Sequence, residues 1–370
     1  MRIKKLHIRN FKSLVDFQLE NLPAFAAIVG PNASGKSNIF EALEFTNYLC
    51  RFSFEATSFF GGKQSIYSYN ARPIKELDER IPLTDKQSFY YEFEDGIFID
   101  LFLSYLKSGN NIEPSYGIGS NKEETLQGID NLPPLKIRNA SERERFLTEL
   151  KNNKLPYNND YEIFIDNFSR IFIGKNFLNR SSQSQSKLHP DASNLSQVLG
   201  HIFDDTNKKN EFIEWLRILI PEFKNIEVKK SNIDGSFEFF LYEKTSDKPF
   251  PKYLLSDGTY NILALMAAVY QSDSPQFLCI EEPENGLHPQ AIQLLVDFFR
   301  EKSEENKHHI LLNTHSQTLV RCLDAHEIIL VNKVNGKTIA KQLTKEDDVN
   351  IKTDEAWLSN AFGGGILWSK

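Results

Sequence analysis

The stretch that decides the fold reads Gly30-Pro31-Asn32-Ala33-Ser34-Gly35-Lys36-Ser37. It matches the pattern Gly-x4-Gly-Lys-Ser/Thr, which holds phosphate groups on backbone N–H groups and a lysine. The apolar run at 24–29 predicts a buried strand before it, and the apolar spacing at 39–45 predicts a helix after it. A strand, a glycine-rich turn and a helix form the setting in which this pattern binds a nucleotide. The alternative is a chance glycine-rich turn.

The residue types in this stretch suit a triphosphate. The two glycines permit a close backbone approach that a side chain would block. Lys36 is predicted to lie between the β- and γ-phosphates, and Ser37 to ligate Mg²⁺ through its hydroxyl. The predicted cofactors are therefore ATP and Mg²⁺. The predicted nucleotide-binding residues here are Gly30, Pro31, Asn32, Ala33, Ser34, Gly35, Lys36, Ser37 and Asn38.

Bulk composition restricts the function classes. A net charge of −7 over 370 residues argues against a strongly basic nucleic-acid binder, although a local basic patch stays open. Three cysteines without metal-ligand spacing indicate reduced, buried thiols. No signal segment is visible, and no apolar run approaches the roughly 20 residues that span a bilayer. These features predict a soluble, cytoplasmic protein with no membrane partner.

The run from Phe277 to Glu282 predicts a buried strand that ends in two carboxylates. In a protein with a phosphate-binding loop, Glu281 is placed to hold the Mg²⁺ shell. Glu282 is placed to polarise the water that attacks the γ-phosphorus. The alternative is a strand capped by solvated acids.

Two further motifs follow the same logic. Ser256 and the N–H groups at Gly258 precede an apolar helix and can bind a phosphate at its N-terminus, although Ser and Asp also make an ordinary N-cap. His315 follows the apolar strand at 309–314, at the edge that faces the ligand crevice in sheets of this class. It is predicted to contact the γ-phosphate or the attacking water, and the alternative is a helix cap. His288, His308 and His309 are interpreted as structural or solvated.

Between residues 56 and 249 the patterns are weaker. Residues 88–93 and 97–106 predict a hairpin that turns at Asp95-Gly96. Residues 108–134, rich in Gly, Asn, Ser and Pro, predict a mobile connection, and residues 162–172 have apolar spacing that suits a helix. After Tyr253 strands and helices alternate, which predicts a mostly parallel sheet covered on both faces.

The order of the motifs resembles that of the ABC-type ATPases, and within them the branch of the SMC, RecF and OLD proteins. Residues 8–13 look like the "NFKS" start of that branch. Residues 282–289 look like the "DEPENGLHP" run of its small bacterial members, which are grouped among AAA-family ATPases. The resemblance covers about residues 1–50 and 250–335.

The resemblance implies an α/β fold: an ABC-ATPase head, which is a P-loop NTPase with a mixed or parallel sheet and helices on both faces, plus an inserted α+β or helical lobe. The predicted boundaries are residues 1–55 and 250–345 for the core, 56–249 for the lobe and 346–370 for a C-terminal tail.

It also implies a head-to-tail sandwich, in a homodimer or a higher even oligomer. Ser256 and Gly258 would act in trans on the partner's γ-phosphate, and Lys12, with Arg9 as a weaker candidate, would lie near the nucleotide. Glu282 is implied as the general base, His315 as the γ-phosphate sensor and Lys36 as the third catalytic residue. The usual strand end is Asp-Glu rather than Glu-Glu, and the glutamine of the Mg²⁺-contacting loop is assigned only loosely to Gln183 or Gln185.

The leading functional hypothesis is an ATPase whose ATP-dependent dimerisation switches a separately encoded effector, such as a nuclease, in anti-phage defence. No intrinsic nuclease domain is expected, because about 35 residues follow the last predicted strand. A RecF-like or SMC-like DNA-binding ATPase in repair is the alternative, so nucleic acid is a further candidate partner. Its candidate basic patches are Lys224, Lys229 and Lys230, or Arg170, Lys175 and Arg180. A transporter ATPase and a non-hydrolysing nucleotide sensor are weaker alternatives.

Overall fold

The computed structural model describes residues 2–52, 56–68, 86–94, 96–105, 112–120, 160–173, 187–232, 235–246, 248–347, 352–359 and 361. Its strands are β1 (Ile3–Phe11), β2 (Leu14–Glu20), β3 (Phe25–Val29), β4 (Lys86–Phe93), β5 (Ile97–Tyr105), β6 (Ile112–Ser120), β7 (Phe168–Ile171), β8 (Phe223–Lys230), β9 (Phe237–Glu243), β10 (Phe250–Pro251), β11 (Phe277–Glu281), β12 (His309–Thr314), β13 (Ile328–Val334) and β14 (Lys337–Gln342). Its α-helices are α1 (Lys36–Phe52), α2 (Ala56–Phe59), α3 (Lys63–Ile66), α4 (Asp160–Asp166), α5 (Leu195–Phe203), α6 (Thr206–Leu219), α7 (Asp257–Tyr270), α8 (Pro289–Glu305), α9 (Gln317–Val320) and α10 (Thr353–Leu358).

A six-stranded sheet in the order β14-β13-β3-β12-β11-β7 lies at the centre. The pairs along β13-β3-β12-β11-β7 are parallel, and β14 adds an antiparallel edge. Strands β3, β11 and β12 are buried at every position, which is why they read as unbroken apolar runs in the sequence. The predicted mostly parallel sheet is confirmed.

The central sheet separates two apolar cores. Along β3, Phe25, Ala27 and Val29 pack with helices α5 to α8. Ala26 and Ile28 point to the other face and pack with α1 and the antiparallel strands β1, β2, β4 and β5. This alternation is the two-residue period of a strand that is buried on both faces. Helices therefore cover both faces, as predicted, and a second sheet joins α1 on one of them.

That second sheet has the order β2-β1-β4-β5-β6 and is antiparallel throughout. The predicted hairpin of β4 and β5 is confirmed. The connection predicted over residues 108–134 is wrong for part of its length, because residues 112–120 form β6, paired with β5. Its Gly, Ser and Pro residues conceal the strand, and pairing with a neighbouring strand overrides their weak propensity.

The helix predicted over residues 162–172 is also wrong in its second half. Helix α4 ends at Asp166, and residues 168–171 form β7, which pairs in parallel with β11. Phe164 and Phe168 pack in one core and Ile171 packs in the other, because side chains alternate between the faces of β7, so a single helical period cannot describe the stretch. Strands β4 to β7 lie within the predicted lobe of residues 56–249, yet they complete the two sheets of the core. The predicted domain boundaries at residues 55 and 250 stay a prediction.

Helices α5 and α6 are followed in the chain by the antiparallel hairpin of β8 and β9. Strands β10, β9 and β8 form a small antiparallel sheet. Cys50 and Cys279 are buried and Cys322 is half-buried, each as a free thiol, as predicted. Within the described ranges no helix has the length and apolar character needed to cross a membrane. Gln183, Gln185, Lys175 and Arg180 fall outside the described residues, so the expectations for them stay predictions.

Candidate active site

The loop at 30–37 connects β3 to α1, and Lys36 is folded back into it. Its Nζ donates to the carbonyl oxygen of Gly30 at 2.7 Å and to that of Pro31 at 2.9 Å. Burial lowers the pKa of Lys36, and three nearby carboxylates, those of Glu282, Glu284 and Glu281, oppose that shift. The lysine therefore remains inside a ring of loop carbonyls and carboxylates, where an anionic ligand would compete for it.

The two predicted metal ligands meet directly. Ser37 Oγ donates to Glu281 Oε2 at 2.9 Å, and Asn313 Nδ2 is 3.4 Å from both atoms. Neighbouring ligands of an octahedral Mg²⁺ with bonds near 2.1 Å are about 3.0 Å apart, so these two oxygens fit adjacent positions around one ion. Asn313 Oδ1 is buried without a hydrogen-bond partner. The chemistry and spacing of these oxygens fit Mg²⁺, which Ser37 and Glu281 would hold.

Arg170, on β7, holds the other oxygen of Glu281. Its Nε donates to Glu281 Oε1 at 2.7 Å, Nη2 contacts the same oxygen, and Nη1 donates to Glu44 Oε2 at 2.8 Å. Although burial lowers it, the pKa of Arg170 is raised by the charges of Glu281 and Glu44. The structure therefore contradicts the idea that Arg170 contributes to a surface patch. No sequence signal revealed this role, since Glu281 lies 111 residues away.

Glu282 and His315 also form a pair. Nδ1 of His315 lies 3.4 Å from Oε1 of Glu282, and both side chains reach solvent. Glu282 has a left-handed backbone, with φ of 48°, and its N–H donates to the carbonyl of Asn313 at 2.8 Å. Asn285 Nδ2 donates to Glu282 Oε2 at 3.0 Å. An accessible carboxylate oriented by two neighbours can accept a proton from water.

Glu284 links two segments of the site, a role that no sequence pattern revealed. Thr314 Oγ1 donates to its Oε1, and the N–H of Ser316 donates to Thr314 Oγ1 at 2.9 Å. Oε2 of Glu284 is buried without a hydrogen-bond partner, and burial raises the pKa of this carboxyl group. Glu284 thus joins the turn after β11 to the segment that carries His315.

Ser256 is the N-cap of α7 and is exposed; its Oγ accepts from the N–H of Thr259 at 3.2 Å. The helix start lies against the turn after Glu284. A Cβ on Gly258 would stand 2.5 Å from the carbonyl oxygen of Gly286, and Asn261 Nδ2 donates to the carbonyl of Asn285 at 2.8 Å. Among the hydrogen bonds of the described residues, none joins Ser256 to the loop at 30–37 of its own chain.

The remaining candidates are placed as follows. Lys12, with φ of 48°, pairs with Glu41 of α1 at 2.5 Å, and Arg9 Nε donates to His7 Nε2 at 3.0 Å. Asn38 Nδ2 donates to Ser13 Oγ at 2.7 Å. The structural interpretation of three histidines is confirmed: His288 caps α8, and His308 and His309 are buried.

Comparison with known proteins shows which family the sequence matches. The profile of the family described as "AAA domain, putative AbiEii toxin, Type IV TA system" matches residues 25–321. An ATP/GTP phosphatase of Helicobacter pylori is 24% identical over 87% of this chain and 87% of its own length. The OLD nuclease of Thermus scotoductus is 22% identical over 94% of this chain but only 65% of the nuclease.

Among solved structures, an SMC head bound to the C-winged helix domain of ScpA superposes with a TM-score of 0.57 and 17% identity, over 94% of this chain and 99% of that one. The SMC head domain of Thermotoga maritima gives a TM-score of 0.50 at 16% identity, over 93% of this chain and 100% of that one. At these identities the likeness shows a shared fold.

Proposed function

Starting from the premise that the chain belongs to this AAA-domain family and is an ATPase of the SMC, RecF and OLD type, we propose that two copies close around ATP and that hydrolysis separates them. The observation that carries the proposal is the meeting of three motifs at one sheet edge. Strands β3, β12 and β11 are neighbours, and the loop at 30–37, His315 and the Glu281-Glu282 pair directly follow them.

Each side chain then has one task. Lys36 exchanges its bonds to the loop carbonyls for phosphate oxygens. Glu282 accepts a proton from the attacking water, and His315 donates a hydrogen bond toward the γ-phosphate. When bound through Ser37 and Glu281, Mg²⁺ would neutralise phosphate charge. Arg170 keeps the buried carboxylate of Glu281 oriented through the hydrogen bonds of its Nε and Nη2 to Oε1.

The exposed turn before α7 supports the two-copy arrangement. Ser256 follows Tyr253 and Leu254, whose exposed fractions are 79% and 61%. Large apolar side chains exposed beside a polar motif are typical of surfaces that another molecule covers. In a head-to-tail sandwich, Ser256 and Gly258 of one copy would close over the loop at 30–37 of the other.

The test is the oligomeric state measured by light scattering. Glu282→Gln with ATP and Mg²⁺ is expected to run as a dimer, and without nucleotide as a monomer. Adding Ser256→Arg is expected to abolish that dimer, because the arginine occupies the closing surface. Ser274→Arg, at an exposed position past the opposite end of α7, is the matched control and should dimerise normally. Dimerisation of the Ser256→Arg double variant, or a monomer throughout, contradicts the proposal.

We further propose that the switch controls a separately encoded effector, such as a nuclease, in anti-phage defence, and that this chain has no nuclease activity of its own. The family's description and the OLD relative support this role. Co-purification of a neighbouring gene product that is released by hydrolysis would support it. DNA cleavage by the isolated chain, abolished by substitutions in this chain, would contradict the second part.

DNA binding in repair is the second candidate, and one observation favours it. Lys229 and Lys230, at the end of β8, lie 5.2 Å and 5.4 Å from the rings of Phe240 and Phe237. Lysines can contact the phosphates of a nucleic acid, while aromatic rings beside them can stack on its bases. Affinity for DNA that falls steeply with salt, and falls further in Lys229→Ala/Lys230→Ala, would support this candidate. Salt-independent binding would exclude it.

A further inference from the structure

The phosphate-binding loop is supported by residues outside it as well as by its own hydrogen bonds. Ala33 has φ of 61° and Gly35 has φ of 103°, both in the left-handed region. For alanine this conformation is unfavourable and persists only where surrounding contacts enforce it. The support comes from Ser13, at the turn between β1 and β2, and from Thr338, on β14.

Four hydrogen bonds connect Ser13 and Thr338 to each other, to Ser34 of the loop and to Asn38 of α1. Thr338 Oγ1 donates to the carbonyl oxygen of Ser34 at 3.0 Å. Ser13 Oγ lies 2.6 Å from Thr338 Oγ1, and Asn38 Nδ2 lies 2.7 Å from Ser13 Oγ. The N–H of Thr338 donates to the carbonyl of Ser13 at 2.8 Å. Since the single proton of Thr338 goes to Ser34, Ser13 donates to Thr338, and Asn38 donates to Ser13.

Burial and packing show that this contact is specific. Thr338 is the buried residue of the edge strand β14, with 3% of its surface exposed, whereas Ile339 beside it is 51% exposed. A Cβ on Gly35 would stand 2.0 Å from Thr338 Oγ1, and one on Gly30 would stand 2.1 Å from the carbonyl oxygen of Val331 on β13. Both glycines are therefore required for packing against the β13–β14 hairpin, as well as for access of phosphate.

The hydrogen bond from Thr338 to the carbonyl of Ser34 also sets the direction of the N–H of Gly35. A trans peptide unit is planar, so the carbonyl of Ser34 and the N–H of Gly35 point in opposite directions. Fixing the carbonyl on Thr338 directs the N–H of Gly35 away from the hairpin. We propose that Thr338, assisted by Ser13, is a positioning residue that presets the peptide group of Ser34 and Gly35 for phosphate binding.

The test compares Thr338→Val, which keeps the shape but removes the hydroxyl, with Thr338→Ser, which keeps the hydroxyl. Loss of the bond leaves a buried carbonyl unpaired, so Thr338→Val should weaken binding of ATP and of ADP about tenfold each. KM for ATP should rise by the same factor while kcat stays within about twofold. Thr338→Ser should bind within about twofold of the parent. Thr344→Val, at an exposed threonine beyond the end of β14, should match the parent.

Two readouts separate positioning from general damage. Without nucleotide, amide hydrogen exchange at residues 33–37 should accelerate in Thr338→Val and stay slow in Thr338→Ser. If Thr338→Val has no folded transition, Ser13→Ala provides the test, with an expected loss of about threefold for both nucleotides. Unchanged nucleotide affinity, a loss confined to ATP, or equal losses in the Val and Ser variants would overturn the proposal. These outcomes do not depend on dimerisation.

Discussion

His315 and Glu282 face each other at the ends of two adjacent parallel strands, with Nδ1 of the histidine 3.4 Å from Oε1 of the glutamate. We expect Glu282→Gln to lower kcat about 100-fold or more with little change in ATP affinity, because the amide no longer accepts a proton. His315→Gln should lower kcat as well. The double variant should be no slower than Glu282→Gln alone, since the two residues act as one unit. The rate of phosphate release at saturating ATP measures kcat. If the loss of kcat in the double variant equals the product of the losses in the two single variants, the residues do not act jointly.

Arg170 is the counter-ion of two buried carboxylates. We expect Arg170→Met to lower the free energy of unfolding by about 3–5 kcal/mol, because Glu44 and Glu281 are left buried without a cation. Arg9→Met removes a more exposed arginine, which is paired with Asp16, and should cost less than about 1 kcal/mol. Denaturant unfolding measures both. Adding Glu44→Gln to Arg170→Met should recover part of the loss, and equal stability of the two arginine variants would contradict the role of Arg170.

Because His308 is buried, we expect the free energy of unfolding to fall in acid. Burial lowers its pKa to about 4, with a small further lowering from Lys302 and an opposing hydrogen bond to the backbone of Val269. Between about pH 6.5 and pH 4 the unfolded chain binds a proton that the folded chain does not. Stability contributed by this histidine is therefore present above pH 6.5 and falls as pH drops toward 4, by on the order of 3 kcal/mol in all.

Urea unfolding of the parent and of His308→Gln between pH 7.5 and pH 4.5 tests this expectation. The glutamine oxygen can still accept from the N–H of Gln276, which donates to His308 Nδ1 at 3.2 Å. The variant should lose less stability on acidification than the parent does. His201→Gln, at an exposed histidine on α5, should keep the parent's pH dependence.

Gly258 is held against the turn after β11. We expect Gly258→Ala to abolish the ATP-dependent dimer of the Glu282→Gln background, because the new methyl group would meet the carbonyl oxygen of Gly286 at 2.5 Å and displace the start of α7. Nucleotide binding by the monomer should stay within about twofold, since the loop at 30–37 is untouched. Light scattering measures the oligomeric state, and nucleotide titration of the same sample measures the affinity. A normal dimer would show that this turn has no part in closure.

The sequence was sufficient to predict the candidate site residues that belong to a local motif at the end of a strand. The loop, the paired carboxylates and His315 each follow an apolar strand, and parallel pairing brings the ends of those strands together. Arg170 could not be found in this way, because a lone arginine on a short strand has no local signature. The strand at 112–120 was hidden by residues of low strand propensity, and only the pairing with β5 makes it regular.

The hydroxyl contact between Ser13 and Thr338 joins positions 325 residues apart. The ribosome synthesises the chain from its amino terminus, so the loop at 30–37 leaves the exit tunnel long before the hairpin of β13 and β14 has been synthesised. A nascent chain lacks the contact of Thr338 with Ser34 until the hairpin of β13 and β14 has emerged and folded. The last two strands of the central sheet to be synthesised are therefore the ones that complete the support of the phosphate-binding loop.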